Sequence, residues 1–148
     1  LLDGRAAGKV FSHDADGMPF LVVQPIHGPT ADDHRAAVAA ERYKRETAGI
    51  TVDGMAIDTS RDSQALITGA AVAAMLDSAY ACRWKTPTGF VEMSAELIIA
   101  VASTVRAHVQ ACFDREAELL QAIDGGSYTY VMLDEGWPNR QVSTPTAD

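Results

Sequence analysis

The sequence predicts an α+β fold: three helices with short antiparallel β-hairpins between them, and a long helix last. Three observations carry this. ITVDGMAIDT (residues 50–59) and CRWKTPTGFVEM (residues 82–93) each place a turn signature between alternating apolar positions. The stretches around them are alanine-rich, with apolar residues recurring at helical spacing. Each helical stretch follows a residue able to cap its first turn: Thr30, Thr59 or Ser60, and Ser94. With 148 residues, the chain suits one domain with extensions. The expected organisation is an N-terminal hairpin or attachment segment over residues 1–29, a helix–hairpin–helix–hairpin–helix domain over 30–125, and a C-terminal strand with a loose tail over 126–148.

In chain order, KVFSHDADGMPFLVVQP opens with a hairpin around DADG at residues 14–17. A four-residue loop sets His13 opposite Met18 and Phe11 opposite Phe20, and Pro19 marks an edge strand. Thr30, Asp32 and Asp33 start a helix expected over residues 31–48, which Gly49 ends. Its basic cluster ERYKRE (residues 41–46) alternates with acids and reads as a solvated face. Asp53-Gly54 then sets Val52 opposite Met55 and Ile50 opposite Ile57, all four on one face.

The second helix is expected over residues 61–80, with Leu66, Ile67, Ala70, Ala71, Ala74 and Met75 at helical spacing. Gly69 inside it implies a close packing contact. Thr86-Pro87-Thr88-Gly89 closes the next hairpin, pairing Lys85 with Phe90, Trp84 with Val91, Arg83 with Glu92 and Cys82 with Met93. Cys82, Trp84, Val91 and Met93 share the apolar face, and Arg83 and Glu92 form an outer charge pair. Ser94 caps the last helix, which Gly125-Gly126 stops about thirty residues later, near 45 Å in length. Ile98, Val101, Val105, His108, Cys112, Leu119 and Ala122 form a stripe interrupted by Arg115. That stripe either faces the domain's own sheet or forms a seam with another chain. SYTYVML (residues 127–133) has strand composition, and RQVSTPTAD reads as loose. Tyr128, Tyr130 and Trp137 suit an interface, or pack back on the domain. Because the helix outruns two short hairpins, the expected interface comprises Val101, Val105, Leu119, Tyr128, Tyr130 and Trp137.

The formal net charge of -8 argues against binding nucleic-acid phosphates. No apolar run approaches the ~20 residues that cross a bilayer, LIIAVA (residues 97–102) included, so no membrane span is expected. Two cysteines, Cys82 and Cys112, make no disulfide framework, and both are expected reduced. The chain begins with Leu1 rather than Met, which suits a cut or incomplete N-terminus, and no signal peptide is legible. His108 and Cys112 lie one turn apart but are too few for a zinc site. DADG lacks the later glutamate of a calcium loop. Asp53, Asp58 and Asp62 lie close enough in sequence for two to meet as acid and base, but Asp53 is occupied by its turn and Asp62 by the first turn of a helix. No nucleophile elbow, Walker sequence or dinucleotide fingerprint occurs. The expectation is therefore no catalytic residue, no metal, no cofactor and no enzyme.

RYKRETAG, ITVDGMAIDT, RDSQALITGA, WKTPTGFVEM and RAHVQACFDREAEL together resemble a domain-of-unknown-function family found widely in tailed bacteriophages and prophages. The likeness runs from about His34 to Ile123, and KVFSHDADGMPFLVVQP looks like what precedes such domains. Family members often sit beside tail-fibre genes, and relatives are described as tail-fibre or tail-fibre-assembly proteins. The resemblance implies a structural component of a phage tail near the fibre or baseplate, made in the host cytoplasm and located in the virion. It would contact other tail proteins, as a homo-oligomer or docked on an oligomeric fibre. The alternatives are a tail-fibre assembly helper absent from the virion, or a phage-encoded inhibitor of a host protein.

Overall fold

The structure, a computed structural model, describes residues 9–13, 19–23 and 28–145. The chain divides into two compact units, Leu1–Asp33 and His34–Asp148. The first holds the hairpin of β1 (Lys9–His13) and β2 (Pro19–Val23). Its register is one residue wider than the sequence suggested: His13 opposes Pro19 and Phe11 opposes Leu21. Pro19 thereby becomes the first residue of its strand, where a missing amide donor is tolerated. The DADG segment itself lies outside the described residues.

Helix α1 (Ala31–Thr47) starts from a reciprocal cap, the Thr30 amide donating to Asp33 Oδ2 (2.8 Å) and the Asp33 amide to Thr30 Oγ1 (3.2 Å). Strands β3 (Ile50–Val52) and β4 (Met55–Ile57) pair in the expected register, Ile50 with Ile57 and Val52 with Met55. Asp53 and Gly54 both take positive φ (48° and 82°), the two-residue turn that matches strand twist. Ile50, Val52 and Ile57 are buried, and Met55 is half-buried.

Helix α2 (Arg61–Leu76) begins at Ser60, whose hydroxyl accepts from the Ser63 amide at 3.3 Å. It stops four residues before the expected Tyr80. Asp77 is extended, and its carboxylate takes the Ala79 amide (2.9 Å) in a local turn that competes with the helix. Strands β5 (Ala81–Thr86) and β6 (Gly89–Ser94) pair residue for residue as expected. Met93 is fully buried, whereas Trp84 and Val91 are half-buried, because the hairpin is an isolated two-stranded sheet. Arg83 and Glu92 stand opposite each other, but no ion pair between them lies within 4.0 Å.

Helix α3 (Ala95–Gly125) is the expected long one, capped by Ser94 accepting from the Leu97 amide (3.2 Å). At its end the Gly126 amide returns to the Ala122 and Ile123 carbonyls. Among the described residues it is the one helix long and apolar enough to cross a membrane by length and composition. In this fold one face of it is spent on the core: Ile98, Val101, Val105 and Val109 join Ile50, Val52, Ile57, Ile67, Ala74 and Met93 in a single cluster. Burying side chains of this size stabilises by about 1.5–3 kcal/mol each.

Residues 126–145, the described part of the C-terminal segment, correct the expectation of a strand and a loose tail. They belong to the same unit as the helices. Residues 127–129 run without regular structure, and α4 (Tyr130–Asp134) follows. Strand composition loses here: the Met132 and Leu133 carbonyls are taken by Arg115 of α3 and by Trp137, not by a neighbouring strand. Arg115 Nη2 donates to the Met132 carbonyl (3.0 Å), and its Nε to that of Glu135 (2.9 Å). Gly136 follows at φ 79°, where a Cβ would lie 2.5 Å from the Arg115 guanidinium. Only glycine satisfies both the backbone and that close approach. The chain then forms β7 (Gln141–Val142), parallel to β3, giving a sheet of order β4-β3-β7. Thr144 fastens the end by donating its hydroxyl to Asp53 Oδ2 at 2.6 Å.

Candidate functional site

Of the six residues expected at an interface, Val101, Val105 and Leu119 are 0%, 3% and 0% exposed within the single chain. Their stripe is covered by the chain's own hairpins, by α2 and by the returning C-terminal segment. The seam reading is corrected for these three. Trp137 packs back as well: it is half-buried, its Nε1 donates to the Leu133 carbonyl (2.8 Å), and Arg45 lies 6.0 Å from its ring. Tyr128 is half-buried with its ring 4.9 Å from that of His34, and burial raises its phenol pKa. Tyr130 alone of the six is largely exposed, at 62%.

The densest polar chemistry lies where the sequence suggested a solvated face. Glu46, the last residue of ERYKRE, is 1% exposed. Arg61 grips its carboxylate with two parallel bonds, Nε to Oε1 (2.7 Å) and Nη2 to Oε2 (3.0 Å). Arg42 Nη1 adds 2.6 Å to Oε2, and Gln64 Nε2 adds 3.1 Å to Oε1. Burial opposes the charge, and bonds from Gln64, Arg61 and Arg42 overcome it, so the carboxyl titrates below its ordinary value of 4.5. Arg42 in turn reaches Glu116 on α3 (2.8 Å) and stacks 4.4 Å from the Phe113 ring. Burial lowers the Arg42 pKa, but bonds to Glu116 and Glu46 outweigh it and raise the value overall.

Thr59 is the hinge of the same centre. Its buried hydroxyl donates to the Glu46 carbonyl (2.7 Å) and accepts from the Gly49 amide (2.9 Å), satisfying two groups at the open end of α1. Arg140 completes that end with bonds to the Gly49 and Ala48 carbonyls at 2.7 and 2.8 Å. The centre thus ties α1, α2, α3 and the C-terminal segment together. A legible signal for it existed: Arg42 and Glu46 fall one and two turns beyond Val38, the one buried apolar residue of α1.

A deprotonated, fully hydrogen-bonded glutamate is an ion-pair hub and a poor proton donor. The neighbouring His108 and Cys112 are also spent on structure. His108 Nε2 lies 3.2 Å from the Arg45 carbonyl and 3.8 Å from Cys112 Sγ. Since a carbonyl only accepts, Nε2 carries the proton. Burial pushes the Cys112 thiol up to about 11, the opposite of an activated nucleophile. Asp58 accepts from the Ser63 and Ser60 hydroxyls (2.7 and 2.9 Å) and the Ser60 amide (2.9 Å), which holds its carboxyl below the ordinary range.

The concave surface lies elsewhere. A groove of about 1040 Å³ is bordered by α2, by β3 and β4, and by β5. Nothing in the sequence marked it, because its walls come from segments far apart in the chain. Leu66 and Phe90 line it at 65% and 68% exposure, and Met75 and Leu76 at the end of α2 are 74% and 83% exposed. Leu66 and Met75, expected among the apolar positions of α2, therefore face outward, and Ile67 and Ala74 hold the core.

Fold and site define an α+β domain whose buried charge centre holds its helices and whose groove is open. The chain belongs to the family described as Domain of unknown function (DUF4376), which matches residues 30–135. No match was found among curated proteins or among solved structures. The family match runs past α3 through α4 and ends before β7. Glu46 and its partners come from RYKRETAG, ITVDGMAIDT and RDSQALITGA, and Glu116, which pairs with Arg42, comes from RAHVQACFDREAEL.

Proposed function

We propose that the chain is a protein–protein docking module of a bacteriophage tail, placed near the tail fibre or baseplate. The tail setting rests on the sequence resemblance. The docking role rests on one observation: α2 and β6 expose Leu66, Val72, Met75, Leu76 and Phe90 on a unit that has a complete core without them. Five large apolar side chains exposed on one helix and one hairpin exceed what singly scattered surface residues would give, and they suit an interaction site. The interface moves accordingly from the α3 stripe to the outer face of α2.

Quantitative mass spectrometry of purified particles tests the placement. The expected result is the chain in fixed ratio to the fibre or baseplate proteins. Finding it in the lysate bound to fibre protein, and absent from particles, would replace this reading with that of an assembly helper. Finding it only on a host enzyme would replace it with that of an inhibitor.

A further inference from the structure

We propose that the groove between α2 and β5 binds an extended acidic segment of a partner protein. The inference rests on the docking reading and adds the chemistry of the ligand. Two features of the groove point to an extended chain. Five consecutive residues of β5, 82–86, border it, whereas β6 contributes Phe90. A strand that lined the groove with one face alone would contribute every second residue, so an edge of β5 is turned toward it. Ala56 and Ile57 of β4 border it too. Among the described strands, β5 pairs with β6 alone and β4 with β3 alone, so each keeps one unpaired edge. A strand edge is a template for an added strand, main chain to main chain.

Charge selects the kind of segment. Arg83, Lys85 and Arg140 line the groove on a chain whose net charge is -8. Arg83 and Lys85 make no ion pair among the described residues, and Arg140 bonds to backbone carbonyls. The acid on the groove wall, Asp58, already accepts three hydrogen bonds from Ser60 and Ser63. Three cations against one carboxylate leave the groove lining with an excess of positive charge, and complementarity calls for carboxylates. Trp84 and Leu66 supply apolar wall for side chains between those carboxylates.

Gly69 fits the same picture. It stands inside α2, where glycine destabilises a helix, yet among the described residues nothing beyond its own turn of helix lies within 4 Å of where its Cβ would be. Its space opens on the groove. The close contact that the sequence implied at this glycine is not made among the described residues, and a segment lying in the groove would make it. A glycan fits less well, since the polar side chains of Asp58 and Ser63 are consumed by each other. Single-stranded nucleic acid would meet three cations on a strongly acidic protein.

The test uses fluorescein-labelled octapeptide pools on the full chain, read by fluorescence anisotropy. One pool carries Asp or Glu at four positions with Leu or Phe between them. The other carries Lys in place of the acids. The acidic pool should bind, at least tenfold more weakly in 0.5 M salt, with shifts of the Trp84 indole and Gly69 amide resonances. Arg83→Glu with Lys85→Glu should weaken it tenfold or more, and Gly69→Leu should abolish it, with thermal melting of both variants undiminished. Equal binding of the basic pool, unchanged binding in both variants, or shifts confined to another surface would overturn the proposal. So would a single-stranded oligonucleotide or a sulfated oligosaccharide that occupied the groove in preference to the acidic pool. Absence of the chain from purified particles would remove the tail placement and leave a positive peptide result standing. Failure of the acidic pool would remove the ligand class and leave the placement standing.

Discussion

Replacing Glu46 by Gln keeps the shape of the side chain and removes its charge. Both carboxylate oxygens each take two bonds, from Arg61, Arg42 and Gln64. The Gln amide would turn two donors toward at least one guanidinium. Arg61 is 53% exposed, and its share is screened to about 1 kcal/mol at most. Arg42 is 14% exposed, and losing its charge-assisted bond costs about 1.5–3 kcal/mol. Glu116 still pairs Arg42, which limits the loss, so the expected total is about 3 kcal/mol. For a unit of this size that lowers the melting midpoint by roughly 10 °C. The pH dependence follows from the lowered carboxyl pKa. Above the unfolded value, near 4.5, Glu46 is charged in both states and its full contribution is present. As pH falls below that, the unfolded chain takes up the proton first, and the contribution fades through the lower folded value. Urea titrations from pH 7 to pH 3 on both proteins would show the wild type converging on the variant. A loss below about 0.5 kcal/mol at pH 7, or an undiminished gap at pH 3, would refute the hub.

Gly69→Ala should raise stability by about 0.5–1 kcal/mol in a urea titration, since its Cβ meets open space and its φ is not positive. Val105→Asp and Leu119→Asp should unfold the unit and not merely dissociate it; sedimentation of a folded monomer of either variant would restore the seam reading. Cys82, half-buried, should react with a thiol reagent in the native state, while Cys112, buried and pushed up to about 11, should react only on unfolding. Gly136→Ala should free the C-terminal segment from Arg115, seen as faster amide exchange across β7 with α2 unchanged.

The sequence by itself determined whatever is local. Asp53-Gly54 and Thr86-Pro87-Thr88-Gly89 fix loop lengths, loop lengths fix register, and register fixes which of Ile50, Val52, Ile57 and Met93 point inward. Ser94 and Gly126 likewise mark the ends of α3 at first sight. Whatever depends on distant residues only the tertiary structure decided. Strand-like SYTYVML became a coil and a helix where Arg115, seventeen residues before Met132, takes the Met132 carbonyl and then that of Glu135 just beyond the stretch. Glu46 left solvent because Arg61, Gln64 and Thr59 converge on it from beyond a hairpin. The stripe on α3 turned inward because α2 and the two hairpins pack on it, with Val142 of β7 at the margin of the same cluster. Local pattern sets which face of an element is apolar; which surface covers that face depends on how the chain returns, and a charge is buried only where partners from elsewhere arrive to meet it.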